Sequence, residues 1–288
     1  MQLQHKQIQA NGVKLHVVEG GNENGDAIIF LHGFPDFWYG WQKQIAYFVE
    51  KGYRVIAPDQ RGYNLSDKPR GVRNYHLDTL TSDIVALMDN LHIDQAYVVG
   101  HDWGGGIAWW LATNYPQRVK KLVICNMPHL VVLRNYLLSS VRQMCRSWYM
   151  LAFQVPFLPE RIIRHALNLK KALRNSSKNK AFSGEDLVKY QEAWSQKYTF
   201  TAMINWYRAG MRYQFSTIAK QEMRSKLVEA PTMIIWGKKD AYLSWKMVEP
   251  SAKMCKSCAV HYIDDATHWV HREYPEDVNR RMDTFFTN

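Results

Sequence analysis

A carboxylate stands where the sequence changes from an apolar run to a glycine-rich segment. The sequence at 96–106 is Ala-Tyr-Val-Val-Gly-His-Asp-Trp-Gly-Gly-Gly, which places Asp102 at the centre of a Gly-x-Asp-x-Gly pattern. This spacing is typical of a nucleophile elbow, a sharp strand-to-helix turn that exposes a nucleophile at the carboxyl edge of a sheet. The better-known form carries serine. Asp102 therefore predicts a different chemistry, in which a carboxylate attacks a saturated carbon and leaves an ester on the protein.

An ester on Asp102 must be hydrolysed by water, and that step needs a base. His268 follows an apolar run at 260–263, and Asp240 follows another at 231–236. Both residues thus come after predicted strands, at the edge where α/β sheets place their functional groups. The chain order nucleophile, acid, histidine is the order that accompanies this elbow. We predict a triad in which His268 is the base and Asp240 orients it.

Other histidines compete for the role of base, namely His101, His261 and His271. His101 is part of the elbow and is equally suited to packing beneath it. His271 lies near His268 in sequence, but no pattern of ligands completes that pair, so we predict no metal site.

The remaining elements must place these residues at one edge of a sheet. Short apolar runs predict strands buried on both faces, and amphipathic segments between them predict helices. Their alternation indicates βαβ units and a mostly parallel sheet with helices on both faces. The predicted strands are 27–31, 53–57, 96–101, 122–125, 231–236 and 260–263, the helices are 38–51, 77–91, 104–114 and 275–285, and Asn11-Gly12 predicts a type I′ hairpin.

Residues 128–227 differ from the rest of the chain. They hold 17 Lys and Arg against 5 Asp and Glu, whereas the remainder holds 20 and 21. This segment has no strong strand-like run and predicts several helices, broken at Pro156, Pro159 and polar turns, with one helix opening at Ser183. We therefore predict a helical cap over 128–227, inserted into an α/β core made of 1–127 and 228–288. Its basic surface is interpreted as solubilising, with attraction of anionic substrates, nucleic acid or membranes as alternatives.

Composition narrows the class of protein. Hydrophobic residues make up 47% and charged residues 22% of 288 residues, which is typical of a globular chain and excludes fibrous and disordered classes. No apolar run approaches 18 residues, so we expect no stable membrane insertion and a cytoplasmic location. The cysteines, including the lone pair Cys255 and Cys258, predict neither a disulfide scaffold nor a zinc site. We expect no nucleic-acid partner, and the oligomeric state stays open.

Taken together, these residues resemble a known family, the α/β-hydrolase fold epoxide hydrolases, over nearly the whole chain. His-Gly-Phe-Pro at 32–35 looks like the family's HGxP loop, 100–105 like its nucleophile motif, and Asp-Asp-Ala-Thr-His-Trp at 264–269 like its histidine motif. No Gly-x-Ser-x-Gly occurs, which removes the esterase and lipase interpretation. The resemblance implies the α/β-hydrolase fold, a small-molecule epoxide as substrate, a vicinal diol as product, and no cofactor.

The resemblance also implies two cap tyrosines that hydrogen-bond the epoxide oxygen. Asn-Trp-Tyr-Arg at 205–208 looks like the motif that carries one of them, Tyr207, and Tyr149 is the candidate for the other. Opening an epoxide puts negative charge on its oxygen, which two phenol donors would stabilise. The alternates are Tyr136, Tyr190 and Tyr213.

The second half of the reaction would put charge on the carbonyl oxygen of Asp102. The N–H groups of Phe34 and Trp103 would form the oxyanion hole. The bond between Phe34 and Pro35 is a candidate cis peptide. Asn64 stands where the family often has glycine, and Asn tolerates the left-handed backbone expected there. Substrate contacts are expected from His32, Pro35, Trp103 and Trp269.

Two other functions compete with epoxide hydrolysis. Haloalkane and haloacid dehalogenases use the same Asp, acid and His on the same fold. At the position of Phe34, however, haloalkane dehalogenases carry an Asn, and at the position of Trp103 fluoroacetate dehalogenases carry an Arg. Both differences, with Tyr207, favour the epoxide. A non-catalytic protein that binds an anionic ligand under the basic cap is the other alternative, and the complete set of nucleophile, acid and base weighs against it. A further hypothesis is that the cap attracts epoxides bearing carboxylates.

Overall fold

Eight strands form one sheet in the order β1-β2-β4-β3-β5-β6-β7-β8. The protein is described by a computed structural model over residues 3–164, 166–214 and 227–288. β1 and β2 are antiparallel, β2 pairs antiparallel with β4, and all the other neighbours are parallel. The fold class predicted from the sequence is therefore confirmed. The strands are β1 Gln4–Ala10, β2 Val13–Gly21, β3 Ala27–Leu31, β4 Arg54–Pro58, β5 Ala96–His101, β6 Val119–Cys125, β7 Thr232–Gly237 and β8 Cys258–Ile263.

The turn between β1 and β2 is the predicted two-residue hairpin. Asn11 and Gly12 both have positive φ, at 47° and 78°, as a type I′ turn requires. Asn64, at φ 38°, also adopts the expected left-handed backbone. In both turns the asparagine side chain also donates to a carboxylate, Asn11 to Asp83 at 2.8 Å and Asn64 to Asp59 at 2.7 Å, so tertiary contacts reinforce the local signal.

Helices cover the sheet on both faces. Their bounds are α1 Gln42–Glu50, α2 Leu77–Asn90, α3 Trp103–Asn114, α4 Leu130–Ser139, α5 Val141–Arg146, α6 Trp148–Ala152, α7 Leu158–Arg164, α8 Ala166–Asn175, α9 Gly184–Ser195, α10 Thr199–Ala209, α11 Val248–Ala252, α12 Val270–Glu273 and α13 Pro275–Thr287. Short 3₁₀ turns lie at Trp38–Trp41, Val72–Tyr75, Pro116–Arg118 and Trp245–Met247, and a π turn at Gly210–Gln214. Among the described residues, no helix is both long and apolar enough to cross a bilayer.

The central strand β5 is buried along its whole length, on both faces of the sheet, and its residues up to Val99 are apolar. Val98 points into the larger core cluster with α2 and α3, whereas Tyr97 and Val99 point into the cluster with α1 and α13. Each such side chain contributes about 1.5–3 kcal/mol when fully buried. The sheet is therefore a rigid base for the residues at its carboxyl edge.

The described elements between β6 and β7 are helical, α4 to α10, as predicted for the cap. Pro159 does not break a helix: it lies in the first turn of α7, where the missing N–H of proline would have had no partner in the helix. Ser183 caps α9 as expected, since its Oγ accepts the N–H of Asp186 at 3.1 Å while the Asp186 carboxylate accepts the N–H of Ser183 at 2.8 Å.

Candidate active site

Asp102 occupies the corner between β5 and α3. Its φ of 49° and ψ of −126° lie in a region that residues with a Cβ rarely adopt, so the corner stores backbone strain. The glycine spacing allows this corner. A Cβ on Gly104 would meet the carbonyl oxygen of Leu31 at 2.1 Å, and one on Gly33 would meet the Asp102 side chain at 2.4 Å. Only glycine lets α3 and the loop after β3 come this close to the carboxylate.

The three predicted triad residues meet at the carboxyl edge of the sheet. His268 Nδ1 lies 2.8 Å from Asp240 Oδ2, and His268 Nε2 lies 3.6 Å from Asp102 Oδ2. All three are buried, with exposed fractions of 9% for Asp102 and 3% for each of the other two. Because a carboxylate only accepts, Nδ1 carries hydrogen, and the imidazole is held with Nε2 toward Asp102.

Asp240 is held by groups from three segments. Its Oδ1 accepts the N–H groups of Tyr242 at 2.7 Å and Leu243 at 2.9 Å, and its Oδ2 also accepts from Asn126 Nδ2 at 2.7 Å. Asn126 is fixed in turn, because its Oδ1 accepts the N–H of Gly237 at 3.0 Å. No motif in the sequence identifies Asn126. The available signal was its position as a polar residue directly after β6, at the same edge of the sheet.

The charges of the triad are coupled. Burial disfavours the charged form of His268, but the carboxylates of Asp240 and Asp102 outweigh burial and raise its pKa to about 10. Burial alone would raise the pKa of each carboxyl group, yet hydrogen bonding and the charge of His268 hold both below their ordinary value. At neutral pH the triad is therefore an imidazolium between two carboxylates.

The loop after β3 brings a main-chain donor to the nucleophile. The N–H of Phe34 donates to Asp102 Oδ1 over 2.8 Å, and the bond from Phe34 to Pro35 is cis, as predicted. Trp103 is the first residue of α3, where main-chain N–H groups have no partner within the helix. Both predicted oxyanion-hole residues therefore adjoin Asp102.

A cavity of about 410 Å³ lies between the core and the cap. Asp102 and His268 form its wall on the core side, and the tyrosines Tyr149 of α6 and Tyr207 of α10 form part of its wall on the cap side. Two of the residues expected to contact the substrate, Pro35 and Trp269, also line it. The cavity is within the size range of small-molecule sites.

Aromatic contacts position the two tyrosines. The Tyr207 ring packs edge-on against Phe34 and Trp103 at centroid distances of 5.3 and 5.1 Å, and the Tyr149 ring lies 5.8 Å from that of Tyr207. Burial, and secondarily the charge of Asp102, raise the pKa of both phenols well above their ordinary value. Both groups therefore stay protonated and can act as hydrogen-bond donors.

The alternates for the second tyrosine lie elsewhere. Tyr190 donates to Asp36 Oδ1 at 2.6 Å, and Tyr136 donates to the carbonyl of Lys246 at 3.0 Å. The side chain of Tyr213 lies outside the described residues. Of the candidate Tyr149 and the two described alternates, it is Tyr149 that lines the cavity with Tyr207.

Two of the side chains predicted to contact the substrate, those of His32 and Trp103, lie outside the lining of the cavity. His32 is fully buried, with Nδ1 3.1 Å from the carbonyl of Gly33 and Nε2 accepting the N–H of Gln60 at 3.0 Å, so it holds the loop and does not line the cavity. The Trp103 ring also lies off the cavity, because it packs against Trp206 and Tyr207. Both side chains support residues that do reach the cavity.

The competing histidines lie behind the triad or away from it. His101 Nε2 donates to the carbonyl of His268 at 2.8 Å, and burial lowers the pKa of His101 to about 3. Burial lowers the pKa of His271 well below its ordinary value, and His261 contacts Arg281. His101 thus packs beneath the elbow, as the sequence allowed.

One buried group in the described part of the chain has metal-ligand geometry. The ligand atoms of Asp36, His101 and His271 lie within 4.8 Å of one another. The guanidinium of Arg272, which interacts favourably with Asp36 and lowers the pKa of His271, already supplies positive charge there. The group is therefore poorly suited to a further cation.

Comparison with known proteins places this site in a family. Residues 26–275 match the α/β hydrolase fold family. The chain is 41% identical to the AB hydrolase superfamily protein YfhM of Bacillus subtilis, over 98% of this chain and 97% of that protein. It is 37% identical to epoxide hydrolase 1 of Caenorhabditis elegans, over 96% of this chain and 69% of that protein.

Solved structures agree with this placement. An epoxide hydrolase from Bacillus megaterium, crystallised with an inhibitor, superposes with a TM-score of 0.88 at 30% identity, covering 98% of this chain and all of that one. Epoxide hydrolase A from Mycobacterium thermoresistibile gives a TM-score of 0.89 at 25% identity, over 100% and 99% of the two chains. The chain therefore belongs to the α/β-hydrolase fold family and, within it, to the epoxide hydrolases.

Proposed function

We propose that this protein hydrolyses a small-molecule epoxide to a vicinal diol through a covalent ester on Asp102. One observation carries the assignment of residues: Asp102 faces a single cavity between a His268–Asp240 pair and two protonated tyrosines. A nucleophile, a base and donors for a leaving oxygen are the groups that this reaction needs. The related epoxide hydrolases support the same reaction.

In the first half of the reaction, the Asp102 carboxylate forms a bond to a carbon of the oxirane. The carbon–oxygen bond of the ring breaks, and its electron pair stays on the oxygen. The hydroxyls of Tyr149 and Tyr207 donate to that oxygen as its charge develops, and one of them supplies the proton that makes the first hydroxyl of the diol. Burial raises the pKa of both phenols, so each is neutral when the substrate binds and has a hydrogen to donate.

Ester formation prepares the second half. It removes the charge of Asp102, which is one of the two anions that keep His268 protonated, so the pKa of His268 falls. The proton of His268 passes to the tyrosinate left by the first half, and neutral His268 then accepts a proton from the water that attacks the ester carbonyl carbon. The resulting oxyanion accepts hydrogen bonds from the N–H groups of Phe34 and Trp103. Its collapse breaks the bond between the carbonyl carbon and the alkoxide oxygen, the alkoxide takes the remaining proton of the water to become the second hydroxyl, and the Asp102 carboxylate and the His268 imidazolium are restored.

The dehalogenase alternative would need donors for a halide in place of donors for an alkoxide. The cap side of this cavity carries the phenols Tyr149 and Tyr207, which suit an alkoxide, and Phe34 stands where haloalkane dehalogenases carry an amide. An assay for halide release from haloalkanes and haloacids separates the two. We expect no release at rates comparable with epoxide hydrolysis. A cytoplasmic location and the absence of a nucleic-acid partner stay predictions from the sequence.

Covalent trapping tests the proposal. His268→Gln removes the base, so the ester should form and then persist. After treatment with styrene oxide, mass spectrometry should find the peptide bearing Asp102 heavier by the mass of the epoxide. The double variant Asp102→Ala, His268→Gln should show no adduct, and His261→Gln, a histidine outside the cavity, should turn over normally. A folded His268→Gln protein without adduct would refute the nucleophile, and would favour the non-catalytic ligand-binding alternative.

A further inference from the structure

The cavity wall contains one arginine, Arg146, among otherwise mostly apolar neighbours. Arg146 is the last residue of α5 and is half-buried. In the part of the lining that the structure describes, it is the only Lys or Arg side chain, and Asp102 is the only acid. Opening an epoxide does not require a guanidinium in this wall. The group that matches it chemically is an anionic group of a bound molecule.

Arg146 lacks the kind of partner that the buried arginines Arg208 of the cap and Arg272 of the core have. Arg208 binds Glu160 at 2.6 Å, and Arg272 donates to the hydroxyl of Tyr190 at 3.2 Å. No residue in the described ranges forms a hydrogen bond or ion pair with Arg146. A guanidinium offers five N–H donors in a planar fork that matches a carboxylate. The fork of Arg146 is therefore available to a bound molecule.

The position of Arg146 along the cavity defines the shape of that molecule. Arg146 is itself half-buried and its neighbour Cys145, which also lines the cavity, is exposed, whereas Asp102 is 9% exposed. Arg146 thus lies nearer the mouth of the cavity than the nucleophile does. Apolar side chains of α8, Leu169 and Leu173, line the cavity as well and are buried.

We propose that Arg146 is a specificity-determining residue, which binds the acidic group of an epoxide whose acid and oxirane are separated by an apolar chain. The proposal rests on the proposed function, since it names the substrate class of that same site. An acid near the base of the cavity would be repelled by Asp102, whereas an acid at the mouth meets Arg146. The surrounding basic cap attracts anions at long range, and Arg146 holds them by contact.

A matched pair of substrates tests the assignment. One is a terminal epoxide on a medium-length chain that ends in a carboxylate, and the other is its methyl ester, which is neutral at that end. The measured quantity is the ratio of kcat/KM for the acid to kcat/KM for the ester. We expect Arg146→Gln to lower this ratio about tenfold, chiefly through KM, as for the loss of a charge-assisted hydrogen-bonded pair. Arg146→Lys should keep part of the preference, because it keeps the charge.

Arg142 provides the control variant. It precedes Arg146 by one helical turn on α5, is exposed, and does not line the cavity. Arg142→Gln removes the same charge from the same helix and should change the ratio less than about twofold. Equal ratios in the wild type and Arg146→Gln would overturn the proposal. An equal loss in both variants would overturn it too, since the preference would then come from the overall charge of the cap.

A binding measurement keeps this proposal separate from the proposed function. Octanoate and octanamide have the same length and differ in charge, and neither can react. Calorimetry should show tighter binding of octanoate to the wild type, with this difference lost in Arg146→Gln. If no epoxide is turned over but octanoate binding depends on Arg146, the reaction is refuted and the anion site stands. If epoxides are turned over but octanoate and octanamide bind alike, the anion site is refuted.

Discussion

In the core, Asp240 accepts hydrogen bonds from the N–H groups of Tyr242 and Leu243 and from Asn126, and it holds His268 at 2.8 Å. In the cap, Tyr149 and Tyr207 are positioned by the edges of other aromatic rings. The core half of the site is thus a network of charges fixed by directional bonds. The cap half consists of neutral donors fixed by shape.

This difference corresponds to what each half has to do. Charged groups in a buried site must be held and satisfied before the substrate arrives, because an unpaired buried charge costs several kcal/mol. A neutral phenol without a hydrogen-bond partner costs much less free energy, so it does not need a partner before the substrate binds. The cap is joined to the core beside the site, where Trp194 Nε1 donates to the carbonyl of Pro35 at 2.7 Å and Trp206 Nε1 to that of Arg61 at 3.0 Å.

If the core half carries the covalent chemistry, removing the nucleophile should have the largest effect. We expect Asp102→Ala to lower kcat/KM for styrene oxide by at least about 10⁴-fold, as for the loss of a catalytic nucleophile. Steady-state assays with diol detection measure it. Asp94→Ala, which removes an exposed carboxylate just before β5, should keep wild-type activity. Substantial activity in Asp102→Ala would mean that water attacks the epoxide directly.

If the cap half supplies two donors to one oxygen, each should be partly replaceable by the other. We expect Tyr207→Phe and Tyr149→Phe each to lower kcat by about 10²-fold, and the double variant to lose more than either. Single-turnover kinetics should show the loss in ester formation and not in ester hydrolysis. A Tyr149→Phe variant as active as the wild type would leave Tyr207 as the one ring-opening phenol.

The same contrast explains which residues the sequence could identify. Asp102, Asp240 and His268 follow strands at recognisable spacings, and the structure brings them together. Asn126 has no motif, because its role depends on β6 lying beside β7. His32 and Trp103 belong to motifs, yet they support the site from behind it, since spacing along the chain does not show which way a side chain points. Pro159 was predicted to break a helix, but its place in the first turn depends on where α7 begins.

The hydrogen bonds that position Asp240 should have a smaller effect on kcat than the nucleophile or the tyrosines. Asn126→Ala removes one of them, and we expect kcat to fall about tenfold. If Asn126 positions Asp240, ester hydrolysis should slow more than ester formation, so mass spectrometry should find the adduct on Asp102 during turnover. Asn90→Ala, which removes an exposed amide bonded to Ala86, should show no accumulation. An equal slowing of both steps would indicate a purely structural role.

The coupling between His268 and its two carboxylates should also affect the free energy of unfolding, and this is the smallest of the expected effects. The folded pKa of His268 is about 10, above its ordinary 6.5, so its contribution to stability is fully present below pH 6.5 and is lost as the pH rises through 10. Asp102→Asn removes one cause of the raised pKa. We expect the free energy of unfolding in urea to fall less between pH 6.5 and pH 10 in this variant than in the wild type or Asp94→Asn. Parallel pH curves would contradict the coupling.

The contact of Tyr207 with both Phe34 and Trp103 has a consequence for how this enzyme can be diversified. The side chain proposed to donate to the opening ring rests on the two residues whose main chain would border the proposed ester. A smaller side chain at position 34 will admit bulkier substrates, but it will also remove packing that holds the Tyr207 ring. A wider range of substrates will therefore be accompanied by slower turnover. The wall formed by α8 supplies none of the reacting groups, so variation at Leu169 or Leu173 can reshape the accepted molecules with the chemistry left intact.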